Sequence, residues 1–236
     1  MKRFLIFSLL LSLGSALMAQ KEVADHQIWD QLLQKYVSAE GKVDYKGFKA
    51  DPVFARYLSV IQNTKVSDSW TKEQKMAFWI NAYNAFTIKL ITDNLPIESI
   101  TKLDKPWDKP FIRIGSATLS LNDIEHKKLR EVFKDPRIHF AVNCASFSCP
   151  VLLNKAFTAA NLETELDKLA RRFVNDPLRN KISGDTAQIS KIFEWYADDF
   201  GGTANFITYL NKYAAKPINK NARITYMEYN WSLNSK

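Results

Sequence analysis

The chain has 236 residues, 46% hydrophobic and 13% aromatic, with only seven glycines, and this composition excludes an intrinsically disordered polymer. Its net charge is +8, but the basic residues are interspersed with acids, as in LDKPWDK and EHKKLREVFKD. That pattern reads as a solvated, mildly basic surface and not as a nucleic-acid footprint; two cysteines are also too few for a disulfide scaffold.

The N-terminus reads as a removable secretion signal over residues 1–19. Lys2 and Arg3 give a positive start, FLIFSLLLSL a short apolar middle, and Ala19 a small residue at the cleavage point, leaving Gln20 first. The apolar run is shorter than the roughly twenty residues of a membrane span, and no later segment is long and apolar enough to make one. The expectation is an exported protein, periplasmic or secreted, with one globular domain over 20–236. An uncleaved N-terminal anchor is the competing expectation.

Ile28, Leu32, Leu33 and Tyr36 share a helical face within 24–37. Gly41 ends that unit, and Val43-Asp44-Tyr45 reads as a short extended piece. Asp51-Pro52 opens a second helix, with Phe54, Leu58 and Ile61 along its stripe. Thr71 and Gln74 form a capping box for a helix over about 72–92, apolar almost all round, which belongs at the centre of a domain. Asn94 and Pro96 stop it. FIRI, Gly115-Ser116 and ATLSL read as a hairpin with a type II′ turn. Asn122 with Glu125 reads as a capping box for a helix to about Phe133. RIHFAVN at 137–143 reads as a strand and CASFSCP as a loop. Helices follow over about 159–174, 191–200 and 203–213, and ITYMEYNW at 224–231 reads as a terminal strand. The class is α+β: a small, mostly antiparallel sheet packed by several helices around one buried helix.

Polar chemistry concentrates between Glu125 and Pro150. Glu125, His126, His139, Asn143, Cys144, Ser148 and Cys149 include two of the three histidines and both cysteines. On a strand, His139 and Asn143 would share a face away from the apolar Ile138, Phe140 and Val142, beside the following loop. Three chemistries remain open at this point. Cys144 or Cys149 could be a nucleophile activated by His139 or His126. His126, His139, Cys144 and Cys149 could bind zinc, although C-x4-C is wider than the usual knuckle. Or the cysteines form a structural disulfide and the histidines are satisfied polar groups. Glu125 carries the alternative of a plain capping role, and His126 that of an exposed helix-start residue. Asn81 and Asn84, three apart on one face of the buried helix, must find partners; they either bind substrate or join a structural network.

Five strings occur in order: KMAFWINAYNAFTIKLI, LNDIEHKKLR, RIHFAVNCASFSCP, SKIFEWYADDFGG and YNWSLN. Together they resemble the family known as domain of unknown function 547, found in exported bacterial proteins and in plant proteins. The resemblance spans about 43–234, and its pattern includes the matches to Glu125, His126, His139, Asn143, Cys144, Ser148 and Cys149. It departs at Asn230, where the family pattern carries Asp. The resemblance implies a fold and a site cluster but no activity.

The leading expectation is a cysteine- and histidine-dependent enzyme, a hydrolase or transferase acting on an envelope or extracellular substrate. His139, Cys144, Cys149, His126 and Glu125 would be catalytic, with Asn81, Asn84, Asn143 and Ser148 binding substrate. The alternative is a non-enzymatic envelope binding module with a structural Cys144–Cys149 pair. The sequence leaves the cofactor unknown. The expected partner is an envelope polymer or protein.

Overall fold

Helix α4 (Lys72–Asp93) buries fifteen of its residues, from Met76 to Thr92, and the rest of the fold is packed around it. A computed structural model of the protein describes residues 24–236, so the expected signal segment lies outside the described residues. The α4 start is the capping box read from sequence: Gln74 N donates to Thr71 Oγ1 and Thr71 N to Gln74 Oε1. Three helices precede it: α1 (Gln27–Tyr36), α2 (Tyr45–Ala50) and α3 (Pro52–Asn63). Asp44 caps α2 and Asp51 caps α3, each through a side-chain oxygen on a backbone N–H. Tyr45 therefore begins a helix, and only Val43 of the expected extended piece keeps a bridge, to Val37 and Ser235.

Strands β1 (Ile112–Ile114) and β2 (Ala117–Leu119) form the expected hairpin. Gly115 has φ +59 while Ser116 has a negative φ, as a type II′ turn requires. The next helical segment is π-helical over Asp123–Arg130 and α-helical over α5 (Glu131–Phe133). Its capping box sits two residues earlier than expected. Asp123 N donates to Ser120 Oγ and Ser120 N to Asp123 Oδ2, while Asn122 turns away to Asp108.

RIHFAVN is not a strand. Asp135 caps a 3-10 turn over Pro136–Phe140 by accepting from Arg137 N, and Pro136 has no N–H to lose at the first helical position. Residues 138–142 are all buried, so the period-two alternation carried no facial information.

Helix α6 (Leu162–Val174) follows the long loop. A second sheet then forms from β3 (Lys181–Ile182), β4 (Thr186–Ile189) and β5 (Arg223–Tyr226); β3 pairs antiparallel to β4, and β4 parallel to β5. Between β4 and β5 lie α7 (Lys191–Trp195), 3-10 turns over Ala197–Phe200 and Thr203–Asn205, and α8 (Phe206–Asn211). The expected terminal strand is thus confined to its first third, and the chain beyond Tyr226 becomes an irregular tail. The buried apolar residues, from Trp29 to Ala222, make one cluster. The class is α+β, and no described helix is long and apolar enough to cross a membrane.

Candidate active-site cleft

The loop 143–150 is held open from both sides by amides. Asn84, in the middle of α4, donates to Ala141 O and accepts from Asn143 N, at 2.9 and 2.8 Å. Asn143 accepts from Ala145 N, donates to Pro150 O, and also accepts from Asn234 Nδ2. These bonds hold Ala145 in the left-handed region, φ +62, a conformation a non-glycine residue adopts only when its surroundings enforce it. The C-terminal tail closes the other side. Phe147 N donates to Ser232 O, Ser148 N to Asn230 O, and Asn230 N to Ser148 Oγ. Asn81 makes a similar two-way clamp one turn earlier on α4, with Phe157 N and O. Asn81, Asn84, Asn143 and Ser148 therefore spend their polar atoms on backbone, Asn143 also on the Asn234 side chain, and none of the four lines the cleft described next.

That cleft has a volume of about 250 Å³. Tyr83, Glu125, His139, Cys144 and Cys149 form one part of its lining, and Trp107, Trp195, Tyr229 and Trp231 form an aromatic rim. The rim rings pack on one another: Trp195 lies 5.6 Å from Trp231 in a stacked pair, and Tyr229 lies 4.5 Å from Trp231. Trp195 is 45% exposed, so the rim is open to solvent.

Cys144 and Cys149 are disulfide-bonded. Tyr229 Oη lies 3.4 Å from Cys144 Sγ and 2.9 Å from Ser146 Oγ. The bond leaves no free thiol among the described residues.

His139 is 2% exposed and keeps one edge on the cleft. Its Nε2 sits 2.6 Å from Asp199 Oδ2, and its ring stacks on Tyr196 at 4.0 Å. Arg130 grips both oxygens of the same carboxylate and also lies over the Tyr196 ring, 4.8 Å from its centroid. Burial pushes the Asp199 carboxyl up, but hydrogen bonds from His139 and Arg130 outweigh it and hold the group well below the usual carboxylate range. Asp199 is therefore a fixed anion that orients the imidazole.

Glu125 is buried, and its carboxyl group acts on the hydroxyls of Tyr83 and Tyr196. Burial first, and then the Glu125 charge, raise both phenols well above their ordinary value. Both hydroxyls thus stay protonated and donate.

Of the expected catalytic residues, the structure brings together Glu125, His139, Cys144 and Cys149. His126 is elsewhere. It lines a separate depression with Arg130 and Asp199, and its Nδ1 accepts from the Arg130 guanidinium, which can only donate. The four possible zinc ligands do not converge, and no group of three or more His, Cys, Asp or Glu side chains is placed to hold a metal ion among the described residues. Asn230, the departure from the family pattern, is exposed and outside the cleft. Its Oδ1 accepts from Ser232 N and Oγ in a local turn.

Sequence reasoning missed Asp199, Arg130, Tyr196 and the aromatic rim. The available signal was the aromatic density of FEWYADDF and YNW, strings that carried the family resemblance without being weighed as site walls.

Residues 67–174 match the family described as "Protein of unknown function, DUF547". The stretch 67–174 is a DUF547 region. The matched stretch contains α4, the π-helical segment, the His139 turn and the disulfide loop of the DUF547 region. Asp199, Trp195, Tyr229 and Trp231 lie beyond it. No curated protein matches the chain, and no solved structure does.

Proposed function

We propose that this protein is exported and works as a recognition domain for a small envelope or extracellular ligand, which it takes into the cleft between the disulfide loop and the aromatic rim. The observation that carries this reading is the cleft itself, an aromatic-walled concavity with a few convergent polar groups. The disulfide fits a wall better than a nucleophile, because oxidised sulfur cannot attack. The segment 1–19 supports export, and export in turn favours an oxidised pair.

The test is a thermal-shift screen of envelope-derived small molecules. Ligands of the cleft raise the melting temperature of the wild-type chain and not that of Trp195→Ala. Cys149→Ser lowers stability but, once folded, keeps ligand binding. A screen in which every hit stabilises both proteins equally would contradict the reading. Export is checked by N-terminal sequencing of the mature chain, with Gln20 expected first and an intact Met1 as the contrary result.

A second reading, a cysteine- and histidine-dependent hydrolase or transferase, is favoured by one feature: His139 is oriented by Asp199 and shares the cleft with Cys144. It requires a reduced Cys144. Alkylation under native, non-reducing conditions tests it. If neither cysteine reacts, and intact mass lacks two hydrogens, the resting protein is no thiol enzyme.

A further inference from the structure

The cleft has a charge sign opposite to that of the chain. The protein carries an excess of eight basic residues, yet the cleft lining includes Glu125 and Asp108 and no Lys or Arg. Glu125 is 5% exposed. Its partners are the neutral hydroxyls of Tyr83 and Tyr196, and no ion pair within 4.0 Å involves it among the described residues. Arg130 is the nearby cation and feels the Glu125 charge, but both of its bonds to carboxylate go to Asp199. The Arg179 charge reaches Tyr229, but Arg179 is tied to Asp176 and to the backbone oxygens of Cys149 and Phe147. The Glu125 charge comes next after burial in raising the phenols of Tyr83 and Tyr196, whereas at Tyr229 burial leads and the Arg179 charge outweighs that of Glu125.

Aromatic faces carry negative quadrupole potential, and a desolvated cation gains most from several faces at once. Here Trp107, Trp195, Tyr229 and Trp231 supply faces around the mouth, and a buried carboxylate supplies the counter-charge below. A carboxyl group buried without an ion-pair partner is a place where an incoming cation supplies the missing counter-charge.

We infer that the cleft of this protein binds a quaternary or N-methylated ammonium group, held between the aromatic rim and the Glu125 carboxylate. The inference rests on the recognition reading above and names its ligand class. The ammonium carries no N–H when quaternary, so it needs no hydrogen-bond acceptor and loses little on leaving water. That suits a wall built of rings better than it suits a primary amine.

Isothermal titration calorimetry of the full mature chain tests it with two probes of the same shape: choline and its neutral carbon isostere, 3,3-dimethylbutan-1-ol. Choline is expected to bind at least tenfold more tightly than the isostere. Glu125→Gln should remove that tenfold preference. Trp195→Ala, an exposed position that leaves folding intact, should weaken choline at least fivefold, so the inference stays testable even if the Glu125 variant fails to fold. Equal affinities, or tighter binding of the isostere, would overturn the inference and leave the recognition reading standing. Absence of binding by both probes would also overturn it, while the thermal-shift screen judges the recognition reading separately.

Discussion

Removing the Asn84 carboxamide should collapse the order of the disulfide loop before it disturbs the rest of the core. In Asn84→Ala, Ala141 O and Asn143 N each lose a buried partner, at 2.9 and 2.8 Å in the native chain. An unpaired buried polar group costs about 1–3 kcal/mol, so the two together cost about 2–6 kcal/mol. The side chain is 3% exposed, which leaves water little room to replace it. Taking about 4 kcal/mol, and about 2–4 °C per kcal/mol for a domain of this size, the melting temperature should fall by roughly 8–16 °C. Differential scanning calorimetry measures this. Asn63→Ala is the control: Asn63 also donates to a backbone oxygen, but on an exposed helix end, and its loss should cost under about 0.5 kcal/mol. A fall of under about 1 kcal/mol in Asn84→Ala would refute the claim that this amide holds the loop. So would an unchanged protease-cleavage rate at 143–150.

Other outcomes follow from the same structure. Asn230→Asp should change stability by less than about 0.5 kcal/mol and leave cleft binding unaltered, since a carboxylate oxygen can accept the same two bonds from Ser232; chemical denaturation and a binding titration check both. Cys144 and Cys149 are five apart in sequence, and closing so short a loop contributes about 2 kcal/mol, which denaturant melts with and without reductant should show. Burial holds the His26 imidazole down to about 4 from an ordinary 6.5, against a weaker upward pull from Asp25. The unfolded chain therefore binds this proton more readily between those values. Stability from this group is complete above pH 6.5 and declines by about 3 kcal/mol as pH falls to 4. His26→Asn should flatten that decline in a pH series of denaturant melts.

Local rules were legible where the bonded atoms lie within four residues of each other. The Thr71–Gln74 box, the Asp51-Pro52 start and the Gly115 turn are of this kind. The Asn122–Glu125 box failed against a competitor two residues away, because Ser120 and Asp123 satisfy the same geometry and Asp108 draws Asn122 off. RIHFAVN failed because an alternating apolar pattern and a continuously buried 3-10 turn look alike when every residue faces the core. Strands β3 and β4 were not anticipated: their residues alternate weakly, and the pairing of β4 with β5 spans more than thirty positions. The clustering of Glu125, His139, Cys144 and Cys149 was readable, since they fall within 25 positions of one another. The partners that give those residues meaning were not. Asp199 reaches His139 across 60 positions, and Tyr229 reaches Cys144 across 85. Only the folded tail brings Tyr229 and Trp231 over the loop.

The central claim is that the cleft beside the disulfide is where this protein meets its ligand, and its six tryptophans make the most direct test. Trp107, Trp195 and Trp231 line the cleft, whereas Trp29, Trp70 and Trp79 are buried in the core. In an indole ¹H–¹⁵N spectrum of the mature chain, titrated with hits from the ligand screen, the three cleft signals should move together and saturate while the three core signals stay in place. Shifts confined to Trp29, Trp70 and Trp79, or hits that bind without moving any cleft indole, would contradict it.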